Sequence, residues 1–157
     1  MLDKERLAKY LVVELSPSYG RRYVLRKTVV IDGHTIPKGW VTNGANSPRM
    51  FWSIVPPNDS DMMPAILYHD YRTDISANNF NNGKGFDFKS DDIDFRDYAL
   101  SLGNSKFKVA CYYHPIRFYT KFIRPIKLYY YSVLGINIPI VHSNIKLINE
   151  MVDIKDF

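Results

Sequence analysis

Cysteine is all but missing. Cys111 is the only one in 157 residues, which excludes an intramolecular disulfide framework and any cysteine-built zinc site. Long apolar runs are missing as well. The longest, Leu128 to Val141, is about 14 residues and is interrupted by Tyr129, Tyr130, Tyr131, Gly135, Asn137 and Pro139. A bilayer-crossing helix needs roughly 20 apolar residues. The first residues, Met1 to Arg6, mix charges and lead into no apolar stretch, so no signal peptide is expected and the chain should be soluble when made. Phosphate-binding Walker loops, nucleophile elbows, dinucleotide fingerprints and zincin helices do not occur. With 8 Gly and 9 Pro the chain is neither a flexible linker nor collagen-like. One further absence concerns charge: from residue 98 to residue 149 there is no Asp or Glu at all.

What is present fits a folded chain. The composition is 46% hydrophobic, 15% aromatic and 24% charged, enough apolar surface to offset chain entropy. The length predicts a single domain over 1–157. The net charge of +5 conceals blocks: 1–58 carry nine Lys/Arg and four acids, 59–97 carry four Lys/Arg and nine Asp, and 98–149 carry seven Lys/Arg. The last eight residues return to −2.

The acid-free block interleaves its cations with rings. Tyr112, Tyr113, Arg117, Tyr119, Lys121, Arg124 and Lys127 mark residues 104–157 as a basic, Tyr-rich interaction surface. Tyr and Arg are favoured anchors of protein interfaces. The same pattern suits phosphate contact with base stacking, or a membrane interface. A plainer reading packs the acidic block 59–97 against the basic one inside a monomer.

Local signals predict an α+β fold, with small N-terminal antiparallel strands followed by three or more helices. Val12–Leu15 and Tyr23–Ile31 read as strands, the second ending in the hairpin signal Asp32-Gly33. Ile36–Val41 continues as a short strand broken by Pro37 and Gly39, and 42–48 is loop chemistry throughout. Pro64 opens a helix expected to reach about Thr73, followed by an irregular loop from Ser76 to Gly85. Ser90 is the expected cap of the next helix and Gly103 its stop. A third helix is expected from Ser105 to His114. Pro115 and Pro125 should divide the aromatic region into short pieces, with Ile136–Val141 as a late strand.

Helical spacing places Met63, Ile66, Leu67, Asp70 and Tyr71 on one face, and Asp92, Phe95, Ala99 and Leu102 on another. Asp70 and Asp92 are therefore the inward-facing acids, with Asp91 and Asp94 pointing away. His69 lies roughly 100° around the helix from Asp70. His69, Asp70 and Asp92 could form a catalytic acid–base group or a His/carboxylate metal site. They equally suit a satisfied structural network fed by donors of the loop 42–48. No cofactor is required by the pattern, and a divalent metal is the one it could take. His34, His114 and His142 are isolated and read as structural.

The run from Ile36 to Trp52, containing Pro37, Gly39, Thr42, Asn43, Ala45 and Pro48, resembles the "P-x-G-F-x-T-D-x-A-S-x-P" stretch of the phage and bacterial family known as domain of unknown function 1353. Ala65 to Tyr71 is similar to that family's "A-x-L-H-D-x-L/Y", and Asp92 to Phe95 with Gly103 to its "A-D-x-x-F" helix ending in Gly. The likeness spans 36–103. Asn43 and Asn46 stand where the family usually carries Asp and Ser, and both still give and accept hydrogen bonds. Thr42, Asn43, Asn46 and Pro48 are thus expected as a structural loop. The resemblance implies phage or prophage origin and supplies no reaction. It leads to the expectation of a small virion component of a tail or neck, made in the host cytoplasm, assembled with other virion proteins and braced by His69, Asp70 and Asp92. A small metal- or His/Asp-dependent envelope hydrolase is the alternative, and nucleic acid a third partner class.

Overall fold

Residues 11–16, 20–25, 27–42, 59 and 61–138 are described by the computed structural model, 11–16 and 20–24 as backbone alone. Short strands come first: β1 (Leu11–Ser16), β2 (Gly20–Leu25), β3 (Val29–Ile31), β4 (His34–Ile36) and β5 (Val41–Thr42). Helices come next: α1 (Met63–Asn81), α2 (Phe88–Ser101), α3 (Lys106–Phe118) and α4 (Arg124–Leu134), the last two joined by a wide π-turn, Tyr119–Ile123. The class is α+β, as the sequence predicts. β2 pairs antiparallel with both β1 and β5, while β3 and β4 form a separate antiparallel hairpin.

The hairpin turn is set by Asp32-Gly33, both with positive φ (47° and 75°), the geometry whose twist matches two antiparallel strands. The predicted single strand from Tyr23 to Ile31 is two strands. Leu25 exchanges backbone hydrogen bonds with the turn after β4, donating to Trp40 O at 3.0 Å and accepting from Gly39 N at 2.7 Å. Lys27 and Thr28 then bend out to solvent before β3 begins.

α1 lies between two cores. Met63, Leu67 and Tyr68 pack with Leu25, Val29, Ile31, Ile36 and Trp40 from the strands. Met62, Ala65 and Ile66 pack with Phe95 and Ala99 of α2 and Val109 and Tyr112 of α3. Pro64 occupies the first turn, where its missing N–H costs nothing. The irregular loop expected from Ser76 is instead helix as far as Asn81, because Ser76 is buried with its hydroxyl on Asp91 of α2, Ala77 is buried too, and tertiary packing outweighs the weak helix preference of Ser and Asn.

Asp87, not Ser90, caps α2: its carboxylate accepts from Ser90 N at 3.0 Å, so the helix begins at Phe88. Gly103 ends this region with φ 84°, and Ser105 caps α3 as a side-chain acceptor for Lys108 N. Pro115 does not end α3. It removes one backbone donor, and the departure from regular winding appears a turn later as the π-turn, where Thr120 Oγ1 donates to Ile116 O at 2.7 Å. Residues 136–138 are not a strand: Asn81 brackets Ile138, donating to its carbonyl and accepting from its N–H. The remainder of the late strand expected to Val141 lies outside the described residues.

Candidate functional site

Three consecutive residues of α1 face three different partners. Tyr68 turns to the hairpin and donates to Asp32 Oδ2 at 3.1 Å, its phenol pushed up to about 12 by burial. His69 turns to α2 and stacks edge-on against Phe95, with ring centroids 5.4 Å apart. Asp70 turns to β5, where Thr42 Oγ1 donates to its Oδ2.

The structure brings His69 and Asp92 together directly. His69 Nε2 lies 2.8 Å from Asp92 Oδ1, and Arg117 Nη1 lies 2.8 Å from Asp92 Oδ2. Asp92 is fully buried at 0% exposure, and His69 is at 14%. Burial alone would raise the Asp92 carboxyl, but the hydrogen bonds from His69 and Arg117 outweigh it and hold the group below the ordinary carboxylate range. An ionised carboxylate only accepts, so Nε2 carries the proton and Nδ1 is the basic nitrogen of neutral His69. Nδ1 is 4.0 Å from Asp70 Oδ1, too far for a hydrogen bond.

The three residues expected as metal ligands are each engaged by protein partners. Asp92 has spent one oxygen on His69 and the other on a guanidinium, whose positive charge opposes a cation there, and Asp70 is turned to Thr42. Among the described residues no group of three or more His, Cys, Asp or Glu is placed to hold a metal ion. Thr42 is the buried end of a strand rather than loop, while Asn43, Asn46 and Pro48 lie outside the described residues.

Asp91 and Asp94 do not point away. Asp91 is 2% exposed and accepts from Ser76 Oγ at 2.6 Å and Arg72 Nε at 3.2 Å, and Arg72 Nη2 reaches Asp94 Oδ2 at 3.0 Å. Burial pushes the Asp91 carboxyl up, against the partial offset of Ser76 and Arg72. The signal was in the spacing: Asp91 and Asp92 stand four and three residues before buried Phe95, so both fall on its face. A cleft of about 490 Å³ opens beside this group, lined by His34, Arg72, Asn79, Phe86, Ser90 and Asp91, and His69 does not line it.

The predicted interaction surface divides. Tyr112 belongs to the core at 2% exposure, its phenol reaching Asp59 Oδ2 at 3.4 Å. Arg117 is drawn inward by Asp92, and Tyr113 is half-buried with the Arg96 guanidinium 5.4 Å from its ring centroid. Tyr119, Lys121 and Lys127 are exposed, and half-buried Arg124 lies 3.8 Å over the Phe88 ring. Unforeseen is a row of exposed apolar side chains on α4: Ile126, Tyr129, Tyr130 and Val133, between 60% and 73% exposed. Their spacing of i, i+3, i+4, i+7 was legible as a helical stripe.

Residues 21–116, from β2 through most of α3, match the model of a family described as "Protein of unknown function (DUF1353)". The chain belongs to that family. The match runs beyond the motif stretch at both ends and takes in His69, Asp70, Asp91 and Asp92, while the π-turn and α4 lie after it. No curated protein and no solved structure matches the chain.

Proposed function

We propose that this DUF1353 member is a small assembly component of a bacteriophage particle, in the tail or neck, that works through protein–protein contacts made by its C-terminal helical arm. The phage setting rests on the family resemblance. The observation that carries the reading is α4, none of whose residues is buried although it bears an apolar stripe along one side. An amphipathic helix ordinarily lays that side on something. On this reading His69, Asp92 and Arg117 brace α1, α2 and α3 so that the arm leaves the body at a fixed angle. The protein would be made in the host cytoplasm and retained in the virion. Mass spectrometry of purified particles should find it at fixed copy number, and the charge-carrying variant Tyr130→Asp should be lost from them. Absence of the wild-type protein from particles would sink the proposal.

One observation favours a second reading, a His/Asp-dependent hydrolase. Asp92 orients His69 through Nε2 and leaves Nδ1 as the ring nitrogen that could exchange a proton with a substrate, which is half of an acid–base site. His69→Ala separates the two. Either way Asp92 loses a buried partner, but only a hydrolase also loses turnover of purified cell-wall polymer. A brace shows only the loss of about 1–3 kcal/mol of unfolding free energy, with no turnover in the wild type to begin with.

A further inference from the structure

We infer that α4 docks as a helix into an apolar groove with an acidic rim on a partner protein, an inference that rests on the assembly reading above and adds the chemistry of the partner.

The cations from Lys108 to Lys127 divide by what they meet. Lys108 and Arg117 are spent inside the molecule, Lys108 Nζ at 2.7 Å from Asp59 and 3.2 Å from Asp61, and Arg117 at 2.8 Å from Asp92. Lys121 and Lys127 are exposed, make no ion pair among the described residues and lie against rings, Phe122 at 5.2 Å and Tyr119 at 5.1 Å, whereas Arg124 is half-buried over Phe88 at 3.8 Å in the field of Asp91 and Asp92 and takes no part in the border. Lys127 Nζ also donates to Tyr119 Oη at 3.0 Å, which fixes the ammonium beside the stripe instead of leaving it to sweep through solvent. Ring contacts satisfy the cation's geometry without neutralising its charge. The arm therefore presents a cationic border with no carboxylate of its own.

Stripe and border together specify the occupant. Ile126, Tyr129, Tyr130 and Val133 are the four anchors of the helix-in-groove mode, and the 11 residues of α4 span about 16 Å. Gly135, with φ 63°, closes the helix, its N–H reaching Ser132 O, so the stripe has a defined end. A second copy of α4 would bring cations against cations, which favours a different chain. Two tyrosines among four anchors suit a packed protein groove, where the ring is buried and the hydroxyl finds a partner.

The test uses the full chain and two synthetic helices that share a leucine stripe, one flanked by glutamates and one by lysines, titrated by fluorescence anisotropy. The glutamate helix should bind at least about tenfold more tightly than the lysine helix. Tyr130→Asp and Lys127→Glu should each weaken it by about tenfold, with unchanged melting curves. Equal binding of the two helices overturns the inference, as does no binding, or preferential binding to phosphatidylglycerol vesicles. Self-association in sedimentation without peptide binding overturns it in favour of a second copy. If Tyr130→Asp is lost from particles while Lys121→Glu/Lys127→Glu is retained, the assembly reading stands and the acidic rim fails. If both variants enter particles normally, the assembly reading itself fails.

Discussion

Asp91 and Asp92 are neighbours in one helix and both are buried, yet their environments push them in opposite directions. Asp92 has a guanidinium and an imidazole N–H on its two oxygens and is held low, while Asp91 has a hydroxyl and one guanidinium edge and is raised by burial. The two shifts give opposite pH dependences. A lowered carboxyl contributes stability that is present above its unfolded value of about 4 and is lost as pH falls through the lower folded value. A raised carboxyl contributes stability that is present below about 4 and is lost as pH rises through the higher folded value. Unfolding titrations from about pH 3 to about pH 7 should therefore show Asp92→Asn falling further behind wild type as pH rises. Asp91→Asn should gain on wild type over the same rise. Parallel curves for the two variants would contradict the hydrogen-bond assignment. Removing Arg117 should be costlier still, by about 3–5 kcal/mol, because Asp92 would keep a buried charge with one oxygen bare. At this scale the sequence is half readable. Spacing finds Asp92 because Phe95 and Ala99 continue its row, and it places Asp91 on the row through Phe95 and Tyr98; what spacing does not name is the pair of partners, Arg72 and Ser76, that hold Asp91. Arg117 is legible only as a cation in an aromatic run; no local pattern tells that it turns inward.

Elements end where side chains meet their partners, and that decides which boundaries were readable. Asp32-Gly33, Pro64, Gly103 and Ser105 act through their own backbone or the next few residues, so hairpin, helix start, stop and cap are local facts. The length of α1 is not local. Ser76 to Asn81 reads as loop by composition and is helix because Asp91 accepts Ser76 and because Ala77 has a place in the core. The last residue of that helix then holds the segment that follows α4: Asn81 Nδ2 donates to Ile138 O at 3.0 Å, and Asn81 Oδ1 accepts from Ile138 N at 2.7 Å. Asn81→Ala should release this clasp, cost about 1–2 kcal/mol and speed hydrogen exchange at the Ile138 amide by about tenfold. Asn81→Asp keeps the acceptor and loses the donor, so the Ile138 amide should stay protected in that variant. Rapid exchange in both would mean that the amide is not held by this side chain.

Over the whole molecule the charge blocks resolve into two electrostatic regimes. The acidic block and part of the basic one neutralise each other within the molecule, through Asp59 and Asp61 with Lys108 near the surface and Asp92 with Arg117 below it, as the plainer reading of the composition expects. The rest of the arm's exposed charge, Lys121 and Lys127, makes no ion pair among the described residues, while Arg124 is half-buried over Phe88 in the field of Asp91 and Asp92. Salt separates these regimes because screening acts over about 10 Å at 0.1 M and reaches exposed charge far more than buried charge. Raising salt from about 0.05 M to about 0.5 M should leave the thermal midpoint nearly unchanged, since the Asp92 pair is sheltered from ions. The same change should weaken binding of an acidic helix to the arm several-fold, chiefly by slowing association, because rim charges act on encounter more than on dissociation. Lys121→Glu/Lys127→Glu should bind weakly at low salt and lose most of that salt dependence. A midpoint that falls steeply with salt, beside peptide binding that does not, would place the working charges inside the fold and leave the arm as an apolar contact alone.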